Sequence, residues 1–325
     1  MTAGAAILEA FYQAAGQFVS PAELARLVNM PTARVTAEIG ELESLGYKIE
    51  THPHLGFRLV EVPDRLTADD IKAHIKSFKA GLTTRVIGSD VLVFEQTAST
   101  NDVVAHMAKA QRGEGLVVFA ESQTKGRGRH GRVWVSPRGK GLWFSVLLRP
   151  KFKPSAAPRL TVAASVAVAR AIRKVAGLDA RIKWPNDVTV NGKKVAGVLT
   201  ELQAEGDEVL AAILGIGIDV NCEREELPDI ATSVLIETGR PQDRAVLAAE
   251  VLSAVDDCYR ADFETIVAEW ARLSTTLGKQ IVVTMGGRRV EGHAQALDAD
   301  GALLLRRDNG RVERILGADV TVERA

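Results

Sequence analysis

Aspartate and glutamate are absent from Ser122 to Leu178, although thirteen lysines and arginines fall in that stretch. The chain as a whole is balanced, with 41 basic and 41 acidic residues, so the asymmetry is local and needs a local explanation. Cysteine is scarce: Cys222 and Cys258 lie far apart without metal-ligand spacing, which argues against a disulfide framework and for two buried free thiols in a reducing compartment. Long apolar runs are lacking too. The longest, such as Val209–Ile218, fall well short of the roughly 20 residues a membrane-spanning helix needs. No lysine or arginine precedes Phe18, so the start of the chain makes a poor secretory signal and a cytoplasmic location is expected. What remains is 325 residues, 46% apolar and 25% charged, room enough for two or three domains with a sizeable core.

At the head of the acid-free stretch lies Gln123-Thr124-Lys125-Gly126-Arg127-Gly128-Arg129-His130-Gly131-Arg132-Val133-Trp134. Glycines spaced among arginines make a mobile loop whose backbone can approach a ligand while its guanidiniums pair with oxyanions. The implied ligand is a phosphate or acyl-phosphate held under a flexible lid.

The first sixty residues read as helices and a hairpin. Ile7, Leu8, Phe11 and Tyr12 recur at helical spacing. Ser20-Pro21-Ala22-Glu23 is a helix start, with Ser20 as N-cap, Pro21 in the first turn and Glu23 closing a capping box. After Asn29-Met30-Pro31, Thr32 is placed to cap a third helix that runs to about Leu45 and ends at Gly46. Strands at Tyr47–Thr51 and Gly56–Val60 follow. This is the order of a winged helix-turn-helix over 1–62, with Ser20–Ile39 as the two-helix core that would meet DNA and Arg34 as its basic contact. The charge opposes DNA binding: residues 1–65 hold five basic and eight acidic side chains, a net of −3, and phosphate contacts dominate affinity. A module kept for protein contacts or regulation is the alternative.

Residues 63–88 read as a linker with one helix, capped at Thr67 and running from Ala68 to about Ala80. Residues 89–274 then alternate strands and helices, as in an α+β domain with a mixed sheet. Val91–Glu95 leads to Ser99-Thr100-Asn101, small hydrogen-bonding residues whose plain reading is a helix N-cap. Leu116–Glu121 delivers the chain into the Arg-Gly loop, and Leu142–Arg149 and Leu160–Ala176 follow as strand and buried helix. Arg181–Asp187 leads to an Asn191-Gly192 type I′ turn and back through Lys193–Glu201. In Val209–Asp219 the glycines of Gly215-Ile216-Gly217 would let a ligand's ring lie against the sheet. Five short strands close the chain, with turns at Gly286-Gly287, Asp300-Gly301 and Asn309-Gly310. They predict a small SH3-like barrel over 275–325 that supports a nucleotide site and receives a partner domain.

Taken in order, these residues resemble the bifunctional biotin–protein ligases, also called biotin operon repressors. The matching blocks are Ser99-Thr100-Asn101, Gln123-x-x-Gly126-Arg127-Gly128-Arg129-x-Gly131-Arg132-x-Trp134, Lys183-Trp184-Pro185-Asn186-Asp187, Lys194-Val195-Ala196-Gly197-Val198-Leu199-x-Glu201 and Gly215-Ile216-Gly217-x-x-x-Asn221. With the helices before and the strands after, they cover essentially the whole chain. The resemblance implies a multidomain α+β protein in which biotin's carboxylate attacks the α-phosphate of ATP, giving biotinyl-5′-AMP and pyrophosphate. A lysine of a biotin carboxyl carrier domain of a carboxylase then displaces AMP. No covalent enzyme intermediate is needed, so positioning and charge stabilisation carry the reaction.

By the same resemblance, Ser99, Thr100, Asn101 and Gln123 line the biotin head. Arg127, Gly128 and Arg129 cover its carboxylate and the α-phosphate, and Lys194 reaches the acyl oxygen or phosphate. Lys183, Arg132 and Asn186 assist the nucleotide, and Trp134 stacks on adenine. Arg129, Lys183, Asp187 and Lys194 are implied to carry the chemistry, with Mg²⁺ near Asp187 rather than in a protein-only metal site. Operator DNA and a homodimer formed with bound adenylate are implied as well, and no membrane. Lys193 reads as a solvated strand end and Trp184 as a core aromatic. A lipoate or octanoate ligase of related fold would show an Arg-Arg-x-Ser-Gly-Gly-Gly-like loop with a downstream histidine, where this chain has Gly126-Arg127-Gly128-Arg129-His130-Gly131.

Overall fold

A computed structural model describes residues 2–78, 86–285, 288–317 and 319–322. Thr2 accepts from the Ala5 amide and starts helix α1 (Ala3–Gln13), and Ser20 accepts from the Glu23 amide at 3.2 Å to start α2 (Pro21–Val28). Helix α3 (Thr32–Ser44) departs from expectation: Pro31 is its N-cap and no side chain caps it, so Thr32 stands inside the first turn. The antiparallel pair β1 (Lys48–His52) and β2 (Gly56–Glu61) follows. Leu8, Leu24, Val35, Ile39 and Phe57 bury their side chains in one core among these elements. Helix α4 (Ala68–Phe78) is capped by Thr67, which accepts from the Asp70 amide at 3.1 Å. It packs on α1, where the Tyr12 hydroxyl donates to Asp70 and the Tyr12 ring stacks on His74 at 4.0 Å. The segment read as a linker therefore contributes a packed helix, and Met1–Thr84 with Asp243–Glu250 forms one compact unit. The anticipated extension of that helix to Ala80 lies outside the described residues.

The second unit, Arg85–Gln242 with Val251–Ala325, is built on a seven-stranded sheet. Its elements are β3 (Asp90–Phe94), α5 (Thr100–Lys109), β4 (Leu116–Ala120), β5 (Gly141–Leu148), α6 (Pro158–Ala176), β6 (Arg181–Lys183), β7 (Asp187–Val190), β8 (Lys193–Glu205) and β9 (Glu208–Asp219). The strand order is β3-β4-β5-β9-β8-β7-β6. Only β3 and β4 run parallel, so the sheet is mixed as expected. All eight residues of β5 are buried, which is why this segment reads as an apolar run broken by a single hydroxyl, Ser145. Asn191 and Gly192 both take positive φ, 50° and 78°, as a type I′ turn between β7 and β8 requires.

The chain continues through α7 (Val234–Thr238), α8 (Arg244–Arg260) and α9 (Phe263–Leu273). It ends in β10 (Gln280–Met285), β11 (Arg288–Leu297), β12 (Leu303–Arg306), β13 (Val312–Ile315) and β14 (Asp319–Val322). These five form an antiparallel sheet in the order β13-β12-β11-β10-β14. Among the described residues its edge strands do not pair with each other, so the expected barrel is present as an open sheet. The Gly286-Gly287 turn lies outside the described residues. No described helix is long and apolar enough to cross a membrane.

Candidate active site

Strand β4 and the start of α5 bring the first cluster of polar side chains together. Ser99 occupies the N-cap position of α5 but makes no capping hydrogen bond. Gln123 does that work instead: its Oε1 accepts from the Thr100 amide at 2.9 Å, and its Nε2 donates to Ser136 at 3.1 Å. The Thr100 hydroxyl meets Ser145 at 2.7 Å, Ser145 donates to Asn101 Oδ1 at 2.5 Å, and Asn101 Nδ2 donates to Glu201 at 2.7 Å. Thr100, Asn101 and Ser145 are all buried, so the hydrogen bonds answer polar groups that water does not reach.

The Arg-Gly loop is a tight hairpin. Trp134 N–H donates to the Gly126 carbonyl at 2.9 Å and Gly128 N–H to the Arg132 carbonyl at 2.7 Å. At Gly126 any Cβ would run into the Trp134 carbonyl, so this glycine is required by close approach. Arg127 donates through Nε and Nη2 to Glu201 at 3.0 and 2.9 Å, and its Nη2 also meets Asp102 at 2.8 Å. These carboxylates, Glu201 foremost, raise the guanidinium above its ordinary pKa. Arg129 reaches away from them: its Nη2 lies where a Cβ on Gly317 would stand, between β13 and β14.

On the floor of the cleft a Cβ at Gly197 or Gly217 would come within 2.8 and 2.6 Å of the Trp134 indole. The glycines do admit a ring against the sheet, and the ring is the chain's own tryptophan. Lys194 Nζ lies 5.0 Å from the centre of that indole and 2.5 Å from Asp187 Oδ1. Asn186 turns its amide to the Val198 carbonyl at 2.7 Å, bracing β7 against β8. Lys183 makes no ion pair among the described residues. Asp219 is only 3% exposed; burial pushes its carboxyl well above the usual range while Lys194 pulls it down. Val133 and Ile230, 81% and 75% exposed, stand at the mouth.

Ser99, Thr100, Asn101, Gln123, Arg127, Gly128, Arg129, Arg132, Trp134, Lys183, Asn186, Asp187 and Lys194 all line this one cleft of about 400 Å³. Trp184 is 2% exposed and Lys193 stands in solvent. The described residues contain no cluster of three or more His, Cys, Asp or Glu able to hold a metal ion.

Across 97% of its length, and 97% of the other protein, the chain is 35% identical to the bifunctional ligase/repressor BirA of Bacillus subtilis. It belongs to the biotin protein ligase family. The profile of the biotin/lipoate A/B protein ligase family matches residues 93–219, and that of the biotin protein ligase C terminal domain matches 276–322. BirA of Escherichia coli is 28% identical over 95% of this chain and 94% of that protein. The biotin protein ligase of Aquifex aeolicus, solved in complex with biotin and ATP, superposes with a TM-score of 0.62 at 29% identity, covering 73% of this chain and all of that one.

Within this family framework, the sequence left without a role one side chain that lines the cleft, Asp219, and three that bond to its lining residues, Ser145, Glu201 and Asp102. Ser145 had a signal, as the lone hydroxyl in an apolar strand. Glu201 closed a motif block but had no partner until β8 was paired. Asp102 is one residue past Asn101 and reads as a first-turn helix acid. Asp219 follows Gly215-Ile216-Gly217-Ile218, and its burial is visible only in the fold.

Proposed function

We propose that this chain is an ATP-dependent biotin–protein ligase that activates biotin as biotinyl-5′-AMP and transfers it to one lysine of a biotin carboxyl carrier domain. The observation that carries this reading is the convergence of all five motif blocks on one cleft. In the first step a carboxylate oxygen of biotin bonds to the α-phosphorus of ATP and pyrophosphate leaves. In the second the carrier's amine bonds to the acyl carbon, loses a proton, and AMP leaves with the electron pair of the broken acyl–oxygen bond.

The ureido ring fits the buried hydroxyl and amide groups of Thr100, Asn101 and Gln123, which offer partners to its N–H and C=O. Lys194 stands against Asp187; trading that carboxylate for the acyl or phosphoryl oxygen places its charge where negative charge develops. Asp187 is then left to take the proton of the incoming amine or to meet Mg²⁺. Asp187 and Asp219 are the cleft's carboxylates, and this sparse set suits an ion held largely by nucleotide phosphates and water. Arg129, Arg132 and Lys183 are assigned to the phosphates. Trp134 serves the adenine, with its indole already seated on Gly197 and Gly217.

We read the N-terminal unit as a winged helix-turn-helix, the C-terminal sheet as SH3-like, and the chain as a cytoplasmic biotin-responsive repressor that dimerises with adenylate bound. The names of its BirA relatives favour the repressor role. Local charge tempers it, because Arg34 pairs with Glu38 at 3.8 Å, and Lys48 and Arg58 pair with Glu61 and Glu50. Operator DNA must displace these glutamates to gain phosphate contacts. The deciding assay incubates the pure protein with ATP, Mg²⁺, a carrier domain and either biotin or lipoate, and reads carrier mass. A biotin-sized gain with biotin alone is expected; no gain with either acid would end the ligase reading. A salt-sensitive shift of operator DNA that requires biotin and ATP tests the repressor role.

A further inference from the structure

Glu201 touches neither reacting group in this scheme, yet it holds Asn101, assigned to the biotin head, and Arg127, assigned to the carboxylate and α-phosphate. It stands on β8 opposite Ile213, and its carboxylate can only accept hydrogen bonds. Three donors converge on it: Arg127 Nε at 3.0 Å, Arg127 Nη2 at 2.9 Å and Asn101 Nδ2 at 2.7 Å. The orientation of the Asn101 amide follows, because its NH₂ must face the carboxylate. Its Oδ1 therefore faces Ser145 and accepts that hydroxyl's proton at 2.5 Å. Ser145 has then spent its one proton, so across the 2.7 Å contact it accepts from Thr100. The Thr100 proton goes to Ser145 rather than to Gln123 Oε1, which is farther away at 3.3 Å and already accepts from the Thr100 amide, and what this side chain has left for the cleft it lines is a lone pair. Asn101 has little room to turn otherwise, since it packs on Gly215 where a Cβ would collide with its amide oxygen. One carboxylate thus orders a run of hydroxyl and amide groups, and through Arg127 it ties that run to the Arg-Gly loop.

We propose that Glu201 is a positioning residue for the biotin head: it sets hydrogen-bond direction along Asn101, Ser145 and Thr100, so that Thr100 presents an acceptor to a ureido N–H. The proposal rests on the biotin reading of the cleft. A mere ion pair between Glu201 and Arg127 would stiffen the loop without prescribing what Thr100 offers.

Titration calorimetry of the full chain with biotin, in the absence of ATP, separates these possibilities. Wild type is expected to bind; if it does not, the biotin reading and this proposal fall together. Glu201→Gln lets the Asn101 amide face either way and is expected to weaken biotin about 10-fold, the worth of one well-directed hydrogen bond. Asn101→Asp sets carboxylate against carboxylate and is expected to cost at least about as much. The double variant N101D/E201Q reverses the first bond but keeps the rest. The amide introduced on β8 now donates, the carboxylate introduced on α5 accepts from it and from Ser145, and Thr100 still faces the cleft as an acceptor. This variant is expected to bind at least about 3-fold more tightly than the weaker single variant, short of wild type because Asn101 is itself assigned to the biotin head. Full affinity in Glu201→Gln, or a double variant no tighter than the weaker single one, overturns the proposal while leaving the biotin reading intact. If one single variant does not fold, the double is judged against the other; if neither folds, a double without measurable biotin binding counts the same way.

Discussion

The two ends of the cleft are built on opposite plans. At the end proposed for the biotin head Thr100, Asn101, Gln123, Ser145 and Glu201 satisfy one another through hydrogen bonds of 2.5 to 3.3 Å, and Arg127 is held by two carboxylates. At the end proposed for the reaction Trp134 Nε1 is buried without a hydrogen-bond partner among the described residues, Asp219 is buried, and Lys194 leans on the carboxylate of Asp187. A small uncharged ring is best recognised by groups already in place, since nothing then has to be ordered on binding. A centre where phosphate charge arrives, shifts and leaves needs cations that can change partners.

The sharpest way to test this division is to remove Lys194. Lys194→Ala is expected to slow adenylate formation by roughly 100- to 1,000-fold, the usual worth of one charge-stabilising donor, with a smaller effect on biotin affinity. Pyrophosphate release and calorimetry measure the two. A loss of affinity as large as the loss of rate would mean that the ends are not separable. Arg129→Gly comes next. It removes one guanidinium clamp from a charged intermediate, so biotinyl-AMP should dissociate about 10-fold faster or more and label lysines on unrelated proteins. Unchanged retention and labelling specificity would argue against the clamp.

Gly317→Ala should produce a milder form of the same leak. Its methyl group displaces only the far end of the Arg129 side chain, which moves without disturbing the backbone. A loss of fold, seen as an early melt, would show instead that the glycine serves the sheet.

The smallest expected effect concerns Asp219. Burial raises its carboxyl above the ordinary value of 3.8 in the folded chain, so the folded state holds this proton more tightly than the unfolded one. The group's contribution to stability is fully present below about pH 3.8 and is lost as pH rises toward the folded value. Asp219→Asn should therefore raise the melting temperature by about 2–4 °C near pH 8 and leave it nearly unchanged near pH 4. A gain of equal size at both pH values would assign the effect to packing rather than to a buried charge.

Local signals were legible wherever a residue acts within a few positions of itself. Ser20 caps α2, Thr67 caps α4 and Asn191-Gly192 turns β7 into β8, because cap and turn chemistry depends on neighbours in sequence. Thr32 misses the N-cap of α3 by one residue: Pro31 fits the N-cap backbone without offering a side-chain bond. The Arg-Gly loop announced itself by composition, but the division of labour inside it did not. Arg127 and Arg129 look alike in sequence. One meets Glu201, 74 residues away, and the other reaches Gly317.

By itself, then, the sequence determined the order of helices and strands and the motif blocks that meet in one cleft. Tertiary structure alone decided that Trp134 would lie on Gly197 and Gly217, that Asp219 would be buried, and that Asn101 would donate to Glu201. The reason is register. Which side chains meet across β5, β8 and β9 depends on strand pairing over long separations, and a one-residue slip would send every one of them to the opposite face.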